Sequence, residues 1–234
     1  MLTLSTSPCM LPDMMKNTTE ETVTYHHGNL RHRLIEVALE AIEEAGAAEL
    51  TLRGIAKRAG VSHSAPYRHF PDKEALLVAV AREGVGLMLS EIKLRLERAK
   101  GDPLARFMVC GLSYIDFAIA HPAHFRVMFV SPRMGVPVPE DLKPESTPFF
   151  HLFIDEITEC WKLGLLKGES PHAIALSAWS IVHGFSLLVI DGHLQGGALD
   201  EGSRESMKRG LLYAFYSGVR GENGPEVVPP APRG

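Results

Sequence analysis

Between residues 29 and 219, apolar side chains recur at steps of three and four, and a Gly, a Pro or a short polar turn ends each run. That rhythm is the repeat of an α-helix, about 3.6 residues per turn, with one face turned to a core. No stretch alternates β-branched and polar residues with the two-residue period of a strand, and there is no internal repeat. The chain therefore reads as all-α.

Individual runs place the helices. Asn29 suits an N-cap, and Leu30, Leu34, Val37, Ala38, Ala41, Ile42 and Ala45 follow on one face until Gly46. Thr51 caps the short run TLRGIAKRA, which carries Ile55, Ala56 and Ala59 on one side and stops at Gly60. Asp72 caps a third run from Lys73 to about Ala99, closed by Gly101 and Pro103. Further helices are predicted at about 103–120, 122–129, 146–166, 171–191 and 203–219. Residues 131–148, with five prolines, form the one long loop expected.

Composition then narrows the class. With 234 residues, 45% of them hydrophobic, the chain can bury one large core or two small ones. Cys9, Cys110 and Cys160 are scattered and match no metal spacing, so they read as reduced cytoplasmic thiols, with no metal or cofactor implied. Residues 1–24 lack a basic region ahead of an apolar run; they read as a disordered arm rather than a signal peptide, with Met10, Met14 and Met15 as alternative starts. Residues 221–234, rich in Pro and Gly, read as a disordered tail. Residues 173–190 carry no formal charge over the minimal length of a membrane span. Ser177, Ser180, His183, Gly184 and Ser186 interrupt that run, and a helix buried on nearly all sides is the better account.

Residues 51–70 carry the functional signal. TLRGIAKR reads as a short amphipathic helix and AGVS as a tight turn in which Gly60 takes a positive φ; a second short helix is expected to follow. Such a unit lays its second helix in the major groove and braces it with the first. Thr51 offers a hydroxyl and unpaired amides to a phosphate. Tyr67, Arg68 and Lys73 cluster where phosphate contacts belong, and Ser62, His63 and Ser64 are placed near base edges. Pro66 fits early in a helix capped by Ser62 or Ser64; a loosely wound first turn held by packing of Tyr67 and Phe70 is expected. Net charge is −4, but residues 25–82 hold eight Lys or Arg against seven Asp or Glu, with five His, so any DNA-binding face must be local. Glu36, Glu40, Glu43 and Glu44 are confined to the first helix, away from that face.

With YHHGNLR, TLRGIAKRAGVS, YRHF and PDKEALL, residues 25–80 resemble the DNA-binding domain of TetR/AcrR-family transcriptional regulators. FAIAHPAHFRVMF and WSIVHG are similar to the branch whose C-terminal domain bears a Trp-His-Gly signature, here Trp179, His183 and Gly184. The resemblance implies a helix-turn-helix domain over 25–88 and a larger effector-binding and dimerisation domain over 89–220. It also implies a homodimer on a palindromic, double-stranded operator and release by a small-molecule effector. Thr51, Arg53, Ser62, His63, Ser64, Ala65, Tyr67, Arg68 and Lys73 form the DNA-contacting set. Ser64-Ala65-Pro66 departs from the broad family pattern, so operator readout does not transfer by analogy.

For the effector, a largely apolar pocket is expected from Phe107, Tyr114, Phe125, Met128, Phe129, Phe150, Trp161, Trp179 and His183. Dimerisation is expected through helices 171–191 and 203–219, the second presenting Met207, Leu211, Ala214 and Gly218 as a stripe. Enzyme signatures are missing: Gly111-Leu-Ser113 and Gly184-Phe-Ser186 begin like nucleophile elbows, but Ile115 and Leu188 stand where the closing Gly belongs. The remaining rival is a helical small-molecule-binding protein that does not bind DNA.

Overall fold

A computed structural model describes residues 27–130, 139–143, 146–194 and 200–226. Within them the chain forms α1 His27–Ala45, α2 Leu52–Arg58, α3 Lys73–Arg98, α4 Pro103–Ala120, α5 Pro122–Val130, α6 Pro148–Lys162, α7 Pro171–Ile190 and α8 Glu201–Val219. No strand occurs among the described residues; Leu166 and Arg220 make an isolated antiparallel bridge. The expected arm, 1–24, and most of the Pro-rich loop lie outside the described residues.

Helix starts follow capping chemistry. Thr51, Asp72, Asp102, Thr147, Ser170 and Asp200 each accept a backbone N–H three residues on, satisfying a donor that the first turn leaves unpaired. Pro stands in the first turn of α4, α6 and α7, where its missing N–H costs nothing. The α2 end shows why Gly60 is needed: its φ of 68° lets Val61 N–H reach the Ala56 carbonyl at 3.0 Å.

Leu34, Ile35, Val37, Ala38 and Ile42 of α1 close over Leu52 and Ile55 of α2 and Leu76 and Val80 of α3 to form the N-terminal core. α3 then continues unbroken into the second core, where Met88, Ile92 and Leu96 meet α4. α4 is the axis of that core, packed by α3, α5, α6, α7 and α8, with Cys110, Tyr114, Ile115, Phe117 and Ala118 fully buried. Burial pushes the Cys110 thiol well above its usual range and the Cys160 thiol up to about 12, so both remain protonated. α4 and α7 are both long and apolar enough to cross a bilayer, but α4 is mostly enclosed, whereas only 33% of the α7 span is buried by its own chain.

Three boundaries differ from the sequence expectation. α1 begins at His27, so Asn29 lies in its first turn instead of capping it. α6 stops at Lys162, because Gly164 at φ 70° turns the chain and Leu165 N–H bonds the Cys160 carbonyl at 2.9 Å. The first residues of the tail expected from 221 are tied to the rest of the fold by hydrogen bonds. Gly221 and Asn223 N–H bond the Leu165 and Gly164 carbonyls at 3.0 Å each, and the buried Tyr216 donates to the Pro225 carbonyl at 2.9 Å. Periodicity cannot register such a clasp, since it is made largely of hydrogen bonds to backbone groups. Residues 227–234 lie outside the described residues.

Candidate nucleic-acid interface and effector cavity

The stretch after α2 is not a second α-helix. Ala65 N–H bonds the Ser62 carbonyl at 3.0 Å, Arg68 N–H the Ala65 carbonyl at 3.2 Å and His69 N–H the Pro66 carbonyl at 2.9 Å, giving a single 3-10 turn at Pro66–Arg68. The cause is Pro66. It has no N–H to return to the Ser62 carbonyl, and its ring opposes that carbonyl, so the i→i+3 pattern takes over. Neither expected serine caps this turn: Ala65 occupies the cap position, and the Ser62 and Ser64 hydroxyls lie 3.3 Å from each other.

Packing holds the turn, though not through the pair expected. Pro66 and Phe70 are buried, with the Arg31 guanidinium 5.3 Å from the Phe70 ring centre, whereas Tyr67 is 50% exposed. Tyr67 is therefore free to face a partner instead of anchoring the motif.

Around this turn most of the expected DNA-contacting set is exposed. Thr51, Arg53, Ser62, His63, Ser64, Tyr67 and Arg68 are exposed, and Ala65 and Lys73 are half-buried. Arg53, Lys57 and Arg68 make no ion pair with any described residue. Two groups are already engaged. Lys73 Nζ donates to the Ala48 carbonyl at 2.6 Å, tying the start of α3 to the α1–α2 turn. Arg58 pairs with Glu44 at 2.6 Å, so one of the α1 acids reaches the motif and neutralises a cation there. The pairing lowers the Glu44 pKa and raises that of Arg58.

In the second core, rings surround a small internal space. Val85 and Met88 of α3, Met128 and Phe129 of α5, Leu142, Thr147, Phe149 and Phe150 of α6 and its approach, and Trp179 of α7 line it. The space is small and partly open: it has room of about 20 Å³, roughly what one water needs. Behind it runs a polar relay. Trp179 Nε1–H donates to the Tyr114 hydroxyl at 3.0 Å, and that hydroxyl lies 2.9 Å from His183 Nδ1. Tyr114 is fully buried, and burial pushes its phenol far above the ordinary pKa, so it keeps its proton. Phe125 and Phe129 pack on the His183 ring at 5.4 and 4.8 Å between centroids.

Of the residues expected at an effector pocket, Met128, Phe129, Phe150 and Trp179 line this cavity, and Tyr114, Phe125 and His183 stand directly behind its wall. Two predicted residues do not. Phe107 packs on Phe153 and Phe215, a ring contact of the α4–α6–α8 core. Trp161 is 41% exposed and its indole N–H bonds the Gly168 carbonyl, so the α6–α7 turn, not the cavity, uses it. Val85, Met88, Leu142, Thr147 and Phe149 were missed as lining residues; α3 and α6 present them there only because of how those helices cross α5 and α7.

Cavity and DNA-facing domain share α3. A Cβ at Gly84 would lie 2.8 Å from Met128 Sδ and 3.1 Å from His124 Cβ, so α5 sits directly on the α3 backbone. On the same interface His124 Nε2 lies 3.4 Å from Glu83 and His121 Nε2 lies 3.2 Å from Glu91.

A three-helix head whose 3-10 turn presents exposed cations and hydroxyls, carried on a helix that enters an aromatic-lined core, defines a helix-turn-helix DNA-binding regulator. Residues 34–80 match the profile of bacterial regulatory proteins of the tetR family, and residues 107–212 that of the tetracyclin repressor-like C-terminal domain. The chain belongs to the tetR family and is a transcription factor, not an enzyme. A protein of unknown function from Rhodococcus sp. RHA1 superposes with a TM-score of 0.69 at 30% identity, over 85% of this chain and 99% of that one. The nucleoid occlusion factor SlmA of Marinobacter nauticus is 24% identical over 70% of this chain and 82% of its own length. The transcriptional regulator BetI of Serratia proteamaculans is 39% identical, but over only 29% of this chain and 34% of BetI, about a third of that relative.

Proposed function

We propose that the protein is a ligand-responsive repressor that binds a palindromic operator as a cytoplasmic homodimer and leaves it when the aromatic cavity is filled. The observation that carries this reading is the sharing of α3. Val85 and Met88 line the cavity, and the same helix begins at Lys73, beside the DNA-facing turn. A ligand that widens this small cavity by displacing Met128 presses on α3, because Met128 rests on Gly84. It shifts the operator equilibrium only by the difference in its affinity for the two α3 positions.

For the homodimer, α7 and α8 supply the unpartnered faces. Leu176 is 51% and Leu188 43% exposed, and Ser180 and Gly184 complete their stripe on α7. Met207, Tyr213 and Ala214 are exposed on α8 with Leu211 half-buried among them. A Cβ at Gly184, Gly210 or Gly218 would meet nothing within 4 Å, so a second copy has room for close helix approach. Covering α7 in this way also accounts for its uncharged composition without a membrane. Trp179 and His183 of the Trp-His-Gly signature serve as members of the Tyr114 relay, and Gly184 as part of the dimer stripe.

DNase footprinting on the DNA upstream of the protein's own gene tests the reading. Protection of two half-sites spaced by one helical turn, about 34–36 Å, is expected. Lack of any protection at low salt overturns it.

A further inference from the structure

We infer that the effector is an uncharged, flat, hydrocarbon-rich molecule held by ring contacts and shape, without an ionic anchor; the inference rests on reading the aromatic cavity as the effector site. None of the nine lining side chains is ionisable. Their polar groups are already spent within the protein. The Trp179 N–H goes to Tyr114, and the Thr147 hydroxyl accepts the Phe150 N–H as the cap of α6.

Charged residues adjacent in sequence to the lining are also taken. Asp141 is held by Arg82 through two hydrogen bonds of 2.8 and 3.0 Å, and Lys143 pairs with Glu140 at 2.6 Å. A carboxylate entering the cavity would lose its hydration and meet no Lys or Arg among the described lining residues. A cation would find ring faces, but attraction to rings repays only part of the loss of water.

Ring geometry sets the shape. Phe150 stands edge-on to Trp179 at 6.3 Å and 74°, and Phe129 is tilted at 6.2 Å on the same indole. A planar ligand inserted among them meets faces and edges at ordinary ring-packing distances. Room is made by Met88 and Met128, whose unbranched thioethers repack more readily than the rings around them.

The test uses a matched set: 4-phenylphenol, biphenyl-4-carboxylate and biphenyl-4-yl-trimethylammonium, titrated into the full chain carrying Trp161→Phe. Trp179 is then the only indole, since the chain has two Trp, and its emission reports on the cavity wall. The phenol is expected to quench Trp179 and to bind at least tenfold more tightly than either ion in calorimetry. An ion that quenches Trp179 and binds as tightly as the phenol overturns the inference about charge and leaves the cavity as a binding site. If no member of the set perturbs Trp179 or releases heat, the cavity is not the effector site, and both readings fall.

Discussion

Replacing Tyr114 by Phe removes one oxygen atom and strips two partners at once. The Trp179 N–H loses its acceptor at 3.0 Å and His183 Nδ1 loses its partner at 2.9 Å, while ring packing on Phe125 and Phe149 is preserved. A buried polar group left unsatisfied costs about 1–3 kcal/mol. Trp179 and His183 are only half-buried, so water reaches them in part, and the lower half of that range applies. The two together then come to roughly 2–4 kcal/mol, or about 4–16 °C in Tm for a chain of this length. Thermal unfolding followed by circular dichroism at one fixed protein concentration measures it, because dimer linkage makes Tm concentration-dependent. Adding His183→Phe to the variant removes one orphan, so the double variant should lose less than the sum of the singles. A Tyr114→Phe protein that melts within about 1 °C of the parent would refute the relay, given the expected size of the effect.

Other consequences follow from the DNA front, the α3–α5 interface and the α7 stripe. Arg68→Ala should weaken binding to all DNA and lower the salt-dependence slope by about one, whereas His63→Ala should change operator preference by roughly 1–3 kcal/mol; equal losses on operator and random DNA exclude base reading by His63. Burial lowers the His124 pKa below 6.5, outweighing the opposing pull of Glu83 and Glu43 and acting with that of His121. The unfolded chain therefore takes up this proton first as pH falls, and stability should drop progressively below pH 6.5. His124→Gln should flatten the Tm profile between about pH 6.5 and 5, where ordinary carboxylates do not yet titrate; an unchanged slope rules the histidine out. Leu188→Glu should convert the dimer to monomer in light scattering without loss of helix content, and a persistent dimer would place the interface elsewhere.

Local rules made much of the fold legible before any packing was known. Thr51, Asp72 and the glycines at 46, 60 and 101 act through backbone geometry within a few residues, so the sequence carries their signals directly. The DNA front was legible for the same reason, because it is one short segment. Its internal form was not: the sequence leaves open whether Pro66 sits early in a capped helix or breaks it into a single 3-10 turn, and the fold takes the second course with Pro66 and Phe70 buried. The cavity was half legible. Periodicity identifies an apolar face, but it does not say which neighbour that face meets, so Phe107 and Trp161 were assigned inward with the rest.

Sequence alone determined the helical class, the helix limits to within a few residues and the DNA-facing segment, since capping, turn geometry and the helical repeat act over a few bonds. Only tertiary structure decided that Val85, Met88 and Phe149 converge on Trp179, that Gly84 seats Met128, and that residues 221–226 clasp the α6–α7 turn. Those contacts join residues far apart in the chain and depend on helix crossing and side-chain volume, which exist only once the elements are packed.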